Sequence, residues 1–256
     1  AFPLIPPGAR LHPGQHFEAM HTRVDRLLKS AVQDADALLA VSGEMRGLIE
    51  RIETAGNCFD PDSELSRFNG LMPGERMLAG DCLYEMLSLC RRYHALTQGF
   101  FDVSAGSPGH TPHMLDTMHI EPYGEIWRES DALRLNLSGF IKGFALDRIR
   151  VLLGKKGISD AVVNMGNSSI MAIGDVPVKL NDGCLTTSGN PPGRPCQIVN
   201  PITGGLVMSP GRVEVASRSG AEGEVLSTVL FAAGADPEYE ELLRSRFTIY
   251  RITRYF

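Results

Sequence analysis

LRLNLSGFIKGFALDRIRVLLGKKGISDAVVNMG, Leu133 to Gly166, decides the fold class: it holds a long periodic segment bracketed by apolar runs on both sides. Its middle predicts a helix. Phe140, Ile141, Phe144, Ala145, Leu146, Ile149, Leu152 and Leu153 recur at three- and four-residue spacing, with Lys142, Asp147, Arg148, Arg150, Lys155 and Lys156 largely opposite and Gly157 as the stop. Before it, Leu133, Leu135 and Leu137 alternate with Arg134 and Asn136 as strand residues do; after it, Ala161, Val162 and Val163 make a short buried-strand run. The unit therefore reads strand, Ser138-Gly139 turn, helix, strand. Small residues at a helix mouth leave backbone N–H groups and the positive end of the dipole free for an anion such as phosphate, and Lys142 adds a full charge one turn in. The same Ser-Gly pair also suits an ordinary N-cap. Neither a dinucleotide fingerprint nor a G-K-[S/T] phosphate loop is present.

At 256 residues the chain has room for one large domain or two small ones, and 43% hydrophobic with 21% charged residues is ordinary for a globular protein with a sizeable core. A net charge of −5 argues against nucleic acid as the main partner. Cys58, Cys82, Cys90, Cys184 and Cys196 show neither C-x-x-C spacing nor an even count, so they read as free thiols. There is no apolar run long enough for a membrane span and no basic-then-apolar segment at Ala1. A leader already removed, or a lipid anchor before residue 1, would leave no trace, so the compartment stays open.

Residues 1–16, with four prolines, read as an extended arm. Arg23 to Ile52 is long and amphipathic, interrupted at Asp34-Ala-Asp36 and Ser42-Gly43, which fits a strand and a helix or two helices. A polar loop from Gly56 to Gly70 offers Ser63 as the cap of a short helix, and Cys82 to Thr97 predicts another, ended by Gln98-Gly99. Ser104 to Glu121 reads as an irregular loop, in which His110 and His113 suit a metal or an ordinary surface pair. Beyond Gly166, residues 170–173, 176–178, 184–187, 197–199 and 214–217 have the spacing of an antiparallel sheet. The last good helix starts near Gly223 and closes at Gly234. On it, Glu224 and Thr228 share one face: either two hard oxygen ligands for a divalent cation, or a surface carboxylate beside a hydroxyl bonded back to the helix.

The ordered series Met20-His-Thr22, Phe59-Asp-Pro-Asp-Ser-Glu-Leu-Ser-Arg-Phe-Asn69, Thr97-Gln-Gly-Phe-Phe-Asp102, Leu137-Ser-Gly-Phe-Ile-Lys-Gly-Phe-Ala-Leu-Asp147, Val163-Asn-Met-Gly-Asn167, Thr187-Ser-Gly189, Asn200-Pro-Ile-Thr-Gly204 and Leu226-Ser-Thr228 resembles the FAD:protein FMN transferases, the ApbE-like flavin transferases. The resemblance implies a mixed α/β (α+β) fold related to the T-fold, built over residues 17–256 as one domain of two lobes with an FAD site between them. It also implies a magnesium-dependent reaction that moves FMN from FAD onto a threonine of an acceptor flavoprotein and releases AMP, in a family often exported or anchored at the membrane. Carried over by position, Met20 and Phe59 flank the flavin, and Ser63, Glu64 and Asn69 belong to the loop that closes on it. Asp102 lies on the adenine or ribose side. Ser138 and Gly139 form the turn at the pyrophosphate, Gly139 giving a backbone carbonyl to the metal. Lys142 and Asp147 line the pyrophosphate end as catalytic residues, Thr187, Ser188 and Gly189 form the strand edge near the flavin, and Glu224 and Thr228 bind the metal.

This chain also departs from the family pattern. The family's Met-Gly-Thr is Met20-His-Thr22, its His before the Ile-x-Asp-Pro-x-Thr-Gly run is Gln197, and its metal aspartate is Glu224, one methylene longer. Asn136 stands where an acidic residue precedes the Leu-Ser-Gly turn, Asn200 stands where the run has Asp, and no Pro-Thr-x-Gly-Pro follows Asp102. Glutamine does not accept and pass on a proton as histidine does, so the catalytic position at Gln197 predicts reduced transfer. Two classes stay open at this point: a flavin transferase or FAD hydrolase, and a non-catalytic FAD or nucleotide binder.

Overall fold

The structure, a computed structural model, describes residues 16–30, 34–180, 182–193 and 195–255. Its main feature is a seven-stranded antiparallel sheet. The strands are β1 (His16–Ala19), β2 (Thr22–Lys29), β6 (Asp160–Met165), β7 (Ser169–Ile173), β8 (Gly183–Asn190), β9 (Gly211–Ser217) and β10 (Ile249–Tyr255), side by side in that order. β2 and β6 are neighbours in space and far apart in sequence, so everything between them is inserted at one seam. The insert carries α1 (Ala35–Gly56), α2 (Glu64–Gly70), α3 (Asp81–Leu96) and α4 (Ile141–Lys155). It also carries a small sheet of β3 (Arg76–Leu78), β5 (Glu125–Arg128) and β4 (Met118–Ile120), in that spatial order. After β9 come α5 (Gly220–Ala233) and α6 (Pro237–Arg246). Among the described residues this makes six helices and a large antiparallel sheet, the mixed α+β class expected from the sequence.

α4 packs on α1 and α5, and α5 lies across β8 and β9. α5 is buried nearly all round, which is why its sequence is apolar on every face rather than on one stripe. The sheet residues alternate accordingly: Met171, Cys184 and Val215 join the main core under the helices, while Ala172, Leu185 and Ala216 point to the other face. That second face is covered by Val176, Val178 and Leu180. Residues 176–178 are therefore apolar as a cover, and the strand expected there is absent.

Other expectations meet a similar correction. Leu133, Leu135 and Leu137 are buried and alternate with exposed Arg134 and Asn136, but they belong to no sheet. Side chains stand in for the ladder: Asn69 Nδ2 donates to Leu135 O (2.9 Å) and Asn69 Oδ1 accepts from Leu135 N (2.8 Å). Ser107 Oγ donates to Arg134 O (3.0 Å) and accepts from Arg134 N (2.9 Å), and Asn136 N donates to Val103 O (2.8 Å). Buried Arg128 adds bonds to Leu71 O and Leu133 O. Every backbone group needs a partner, and here the partners are amides, hydroxyls and a guanidinium. Residues 197–199 form no strand either; Val199 makes only an isolated bridge to Leu206.

Arg23 to Ile52 resolves into β2 and α1, with Asp34 as the α1 cap, accepting from Ala37 N at 2.9 Å; Val32 lies outside the described residues. Ser42-Gly43 does not break α1, because Ser42 Oγ donates to Leu38 O and accepts from Arg26 Nε. α2 starts at Ser63 as expected, while α5 starts at Gly220, a turn before Gly223, and is not the last helix. The arm expected over 1–16 lies outside the described residues except for His16, which opens β1. No described helix is long and apolar enough to cross a membrane.

Candidate functional site

The site forms where α4 begins. Gly143, in the first turn of α4, meets Gly220 at the start of α5 so closely that a Cβ on Gly143 would lie 2.2 Å from Gly220 O and 2.6 Å from Glu224 Cγ. Only two glycines allow this approach, and it holds the Glu224 side chain against the mouth of α4. Asp147, one turn further on, fixes the same contact: its carboxylate accepts from Gly220 N (2.7 Å), Ala221 N (3.0 Å) and Ser219 Oγ (2.6 Å). The anion at the α5 N-terminus is thus Asp147 itself, and this carboxylate docks two helices rather than lining an open phosphate site.

Glu224 is 4% exposed, which excludes a surface carboxylate. Its Oε1 accepts from Ser169 Oγ on β7, and Lys142 Nζ reaches the neighbouring Ser168 Oγ. Burial raises the Glu224 carboxyl above the ordinary carboxylate range, opposed by the Lys142 charge and the Ser169 hydroxyl. Thr228 Oγ1 lies 3.1 Å from Ser188 Oγ, which is also 2.8 Å from Ser227 Oγ. It is Ser227, not Thr228, that bonds back to Glu224 O, at 3.3 Å. A polar seam therefore runs from Lys142 through Ser168, Ser169 and Glu224 to Ser188, Ser227 and Thr228, inside an otherwise apolar layer. Gly189 ends this strand edge at a close approach, since a Cβ there would lie 2.4 Å from Gly211 O. Thr187 N donates to Ser168 O at 2.8 Å, tying the edge to the seam.

Outside the seam lies a cleft lined by Met20, His21, Glu53, Gly56, Asn57, Phe59, Ser138, Ile141 and Lys142, with a volume of about 90 Å³. That is a fraction of the ~300–1,000 Å³ of a full ligand pocket, so a dinucleotide would need the exposed Phe59 and half-buried Lys142 side chains to open. Ser138 and Gly139 are exposed at its edge, with Asn136 Oδ1 accepting from Ser138 N (2.8 Å) and Ser138 Oγ (2.6 Å). Met20 and His21 form the two-residue turn between β1 and β2, both left-handed with φ of 50° and 55°, and Glu53 Oε2 accepts from Met20 N at 2.9 Å. A larger cleft of about 310 Å³, lined by Pro237, Glu240, Arg244 and Arg254 among others, lies against α6 and β10 and includes none of the expected site residues.

The structure thus brings Met20, Phe59, Ser138 and Lys142 together at one cleft, with Glu224 held at the Lys142 turn and Thr228 and Ser188 along the same seam. It does not bring the others to the cleft. Ser63 caps α2, Glu64 accepts from Gly80 N at 2.7 Å, and Asn69 clasps Leu135, so all three support the scaffold. The Asp102 side chain is fully buried, accepting from Ser104 Oγ and lying beside His110, whose Nε2 is 2.9 Å from Asp102 Oδ2. His113 is exposed beside Asp116, so His110 and His113 form no pair. Gln197 is exposed and hydrogen-bonds to no described residue, while Asn200 closes its own turn on Ile202 N and Thr203 N. Ser168, Ser169, Glu53 and His21 were not singled out as site residues from the sequence. The block Val163 to Asn167 ended one residue short of the two serines, and nothing local marks Glu53.

Among the described residues no group of three or more His, Cys, Asp and Glu gathers as a metal site. The expected set contains a single carboxylate, and in donor chemistry it suits a hard cation: a buried carboxylate with one hydroxyl donor, a threonine hydroxyl one turn on, and the backbone carbonyl of exposed Gly139 are all oxygen donors.

The model of the ApbE family matches two overlapping segments, residues 20–114 and 109–249. Among curated proteins nothing matches. Similar solved structures include the flavin transferase ApbE of Vibrio cholerae, at 19% identity with a TM-score of 0.76, covering 94% of this chain and 96% of that one; the apo form of Pseudomonas stutzeri flavinyl transferase ApbE, at 18% and 0.77, covering 91% and 87%; and the ApbE protein of Thermotoga maritima, at 17% and 0.75, covering 93% and 95%. At these identities the structures speak to the fold.

Proposed function

The chain belongs to the ApbE family, and on that premise we propose that it is a flavin transferase that takes FMN from FAD, with magnesium, and joins it to a threonine hydroxyl of an acceptor flavoprotein. The observation that carries this reading is the Gly143–Gly220 approach, which sets a buried carboxylate beside a lysine at a helix mouth that opens on an apolar-lipped cleft. A single domain over residues 17–256 and an exported or membrane-associated setting belong to the same proposal.

In this reading the isoalloxazine enters the cleft between Met20 and Phe59, and the pyrophosphate lies over Ser138 and Gly139. Lys142, freed from Ser168, pairs with its charge. Glu224, Thr228 and the Gly139 carbonyl would hold magnesium, which neutralises charge on the pyrophosphate and makes AMP a better leaving group. Asp147 acts at one remove by locking α5 to α4, so that Glu224 stays in place. Gln197, exposed and outside the cleft lining, supplies no proton transfer.

The test is mass spectrometry of a threonine-containing acceptor peptide incubated with FAD and magnesium, with AMP release followed in parallel. A peptide gaining the mass of FMN less water supports transfer. AMP and FMN without a modified peptide would show a hydrolase, and tight FAD uptake with neither product would show a binder.

A further inference from the structure

Among the residues lining the cleft, those with side chains that exchange protons are His21, Glu53 and Lys142. Glu53 is engaged by the Met20 N–H and Lys142 by Ser168. His21 makes no hydrogen bond to any described residue, and imidazole is the side chain that ordinarily exchanges protons near neutrality. Its backbone is also unusual. Two consecutive non-glycine residues in the left-handed region are costly, and such strain persists where the surroundings over-determine it. Here a β-hairpin turn and the Glu53 carboxylate hold it, which fixes His21 in the lining of the cleft that Lys142 also lines. Meanwhile the exposed Gln197 is not at the cleft.

We propose that His21 is the general base of this protein, a catalytic residue that replaces the proton acceptor missing at Gln197; the inference rests on the transferase reading above. The acceptor threonine Oγ attacks the phosphorus of the FMN half of FAD. As the Oγ–P bond forms, the hydroxyl proton passes to an imidazole nitrogen of His21. The P–O bond to the AMP half breaks, and AMP leaves with that electron pair. His21 then returns the proton to solvent, so charge and atoms balance without a further reagent. The charged groups around it are Glu53 from α1 and Lys142 from α4, with Glu18 and Arg23 on its own hairpin. Glu53 is a positioning residue, because it bonds the turn rather than the substrate.

The experiment compares the full chain with His21→Gly and His21→Gln, reading FMN transfer, FAD affinity by flavin fluorescence, and the His21 ring resonances by NMR. Both variants should lose ~10²–10⁴-fold in transfer, keep FAD affinity within about threefold of the parent, and lose the acid limb of the pH–rate profile. Added imidazole should restore His21→Gly, where it leaves a hole, and not His21→Gln. In the parent, FAD with magnesium should shift the His21 ring resonances and the midpoint of their titration. Transfer by His21→Gly within threefold of an active parent, or His21 resonances indifferent to FAD, overturns the proposal while leaving the transferase reading intact. A parent that yields neither modified peptide nor AMP defeats both, and that result is visible before any variant is made.

Discussion

Glu224 is where the proposed task and the stability of the fold pull in opposite directions. A carboxylate that is 4% exposed, with one hydroxyl donor, is a poor way to fill a core, and its raised pKa records the cost. The sign follows from proton counting. The folded carboxyl keeps its proton to higher pH than the unfolded one, so the folded state binds more protons in between, and stability falls as pH rises through that window. Glu224→Gln keeps an acceptor for Ser169 and has no charge to bury. In metal-free protein it should raise the melting temperature at neutral pH by ~2–4 °C, the shift of about 1 kcal/mol in a chain of this size, and flatten the decline with pH. A variant that melts lower than the parent at neutral pH would show that the Lys142–Glu224 attraction outweighs burial. Since a proton competes with a cation for the same oxygens, magnesium affinity in the parent should weaken as pH falls through the raised pKa. Position 197 gives a second forecast. If His21 accepts the proton, Gln197→His changes transfer less than about threefold in the parent, since a second base adds little once one is in place. A large gain would return the base to the 197 loop. Sequence alone identified Gln197 as a departure, and it could not show that the residue lies on an exposed loop outside the cleft lining, because loop placement depends on bonds such as Asn190 Nδ2 to Val207 O and Ser209 O.

Elements with strong local signals were legible, and those whose partners are distant were not. α2 starts at its Ser63 cap, and α3 and α4 end at the glycine signals, because caps and periodicity are local. Residues 133–137 show the limit: alternation reports which side chains are buried, and an extended segment clasped by Asn69 and Ser107 alternates as a strand does. β3, β4 and β5 span three or four residues each, too few for a pattern. The glycines of α4 give a test at this scale. Gly143→Ala should destabilise by ~1–3 kcal/mol or more, because its Cβ meets backbone at 2.2 Å and overpacking exceeds the ~1 kcal/mol gain in helix propensity. Gly154→Ala, with nothing within 4 Å of its Cβ, should gain up to ~1 kcal/mol in the same helix. Urea unfolding of both decides it, and equal signs would contradict the close approach. The hairpin turn predicts a similar split. His21→Gly should stabilise by roughly 0.5–1 kcal/mol, since relief of the left-handed strain exceeds the entropy cost of glycine. Gained stability beside lost transfer would mark His21 as held against its own conformational preference.

At the scale of the whole molecule, the ordered motifs over residues 20–234 pointed to the architecture because they lie at turns, caps and close approaches, where only particular residues fit; the cleft's small volume was not legible, since it depends on how Phe59 and Lys142 rest. The proposed cation and FAD sites draw on separate parts of the chain. Glu224 and Thr228 come from α5 between β9 and β10, Lys142, Ser138 and Phe59 from the insert, and Met20 from the turn between β1 and β2. In the proposed arrangement neither ligand alone completes the site: a cation without pyrophosphate would leave much of its coordination to water, and a pyrophosphate without a cation would face Lys142 beside a buried carboxylate. Each should therefore raise the affinity for the other by the same factor, as linkage requires, with a coupling of ~1–3 kcal/mol, or about 5–150-fold. Melting curves should show a larger shift with FAD and magnesium together than the sum of the two alone, and EDTA should remove the excess. Glu224→Ala should abolish the coupling, because it deletes a direct ligand. Lys142→Ala should lower FAD affinity and keep most of the coupling, since the lysine acts on the phosphates as one screened charge. Calorimetric titrations of FAD into parent and variants, at fixed and zero magnesium, separate these outcomes. FAD affinity indifferent to magnesium in the parent would remove the cation from the site, and equal loss of coupling in both variants would show that Glu224 and Lys142 act as one ion pair rather than as ligand and counter-charge.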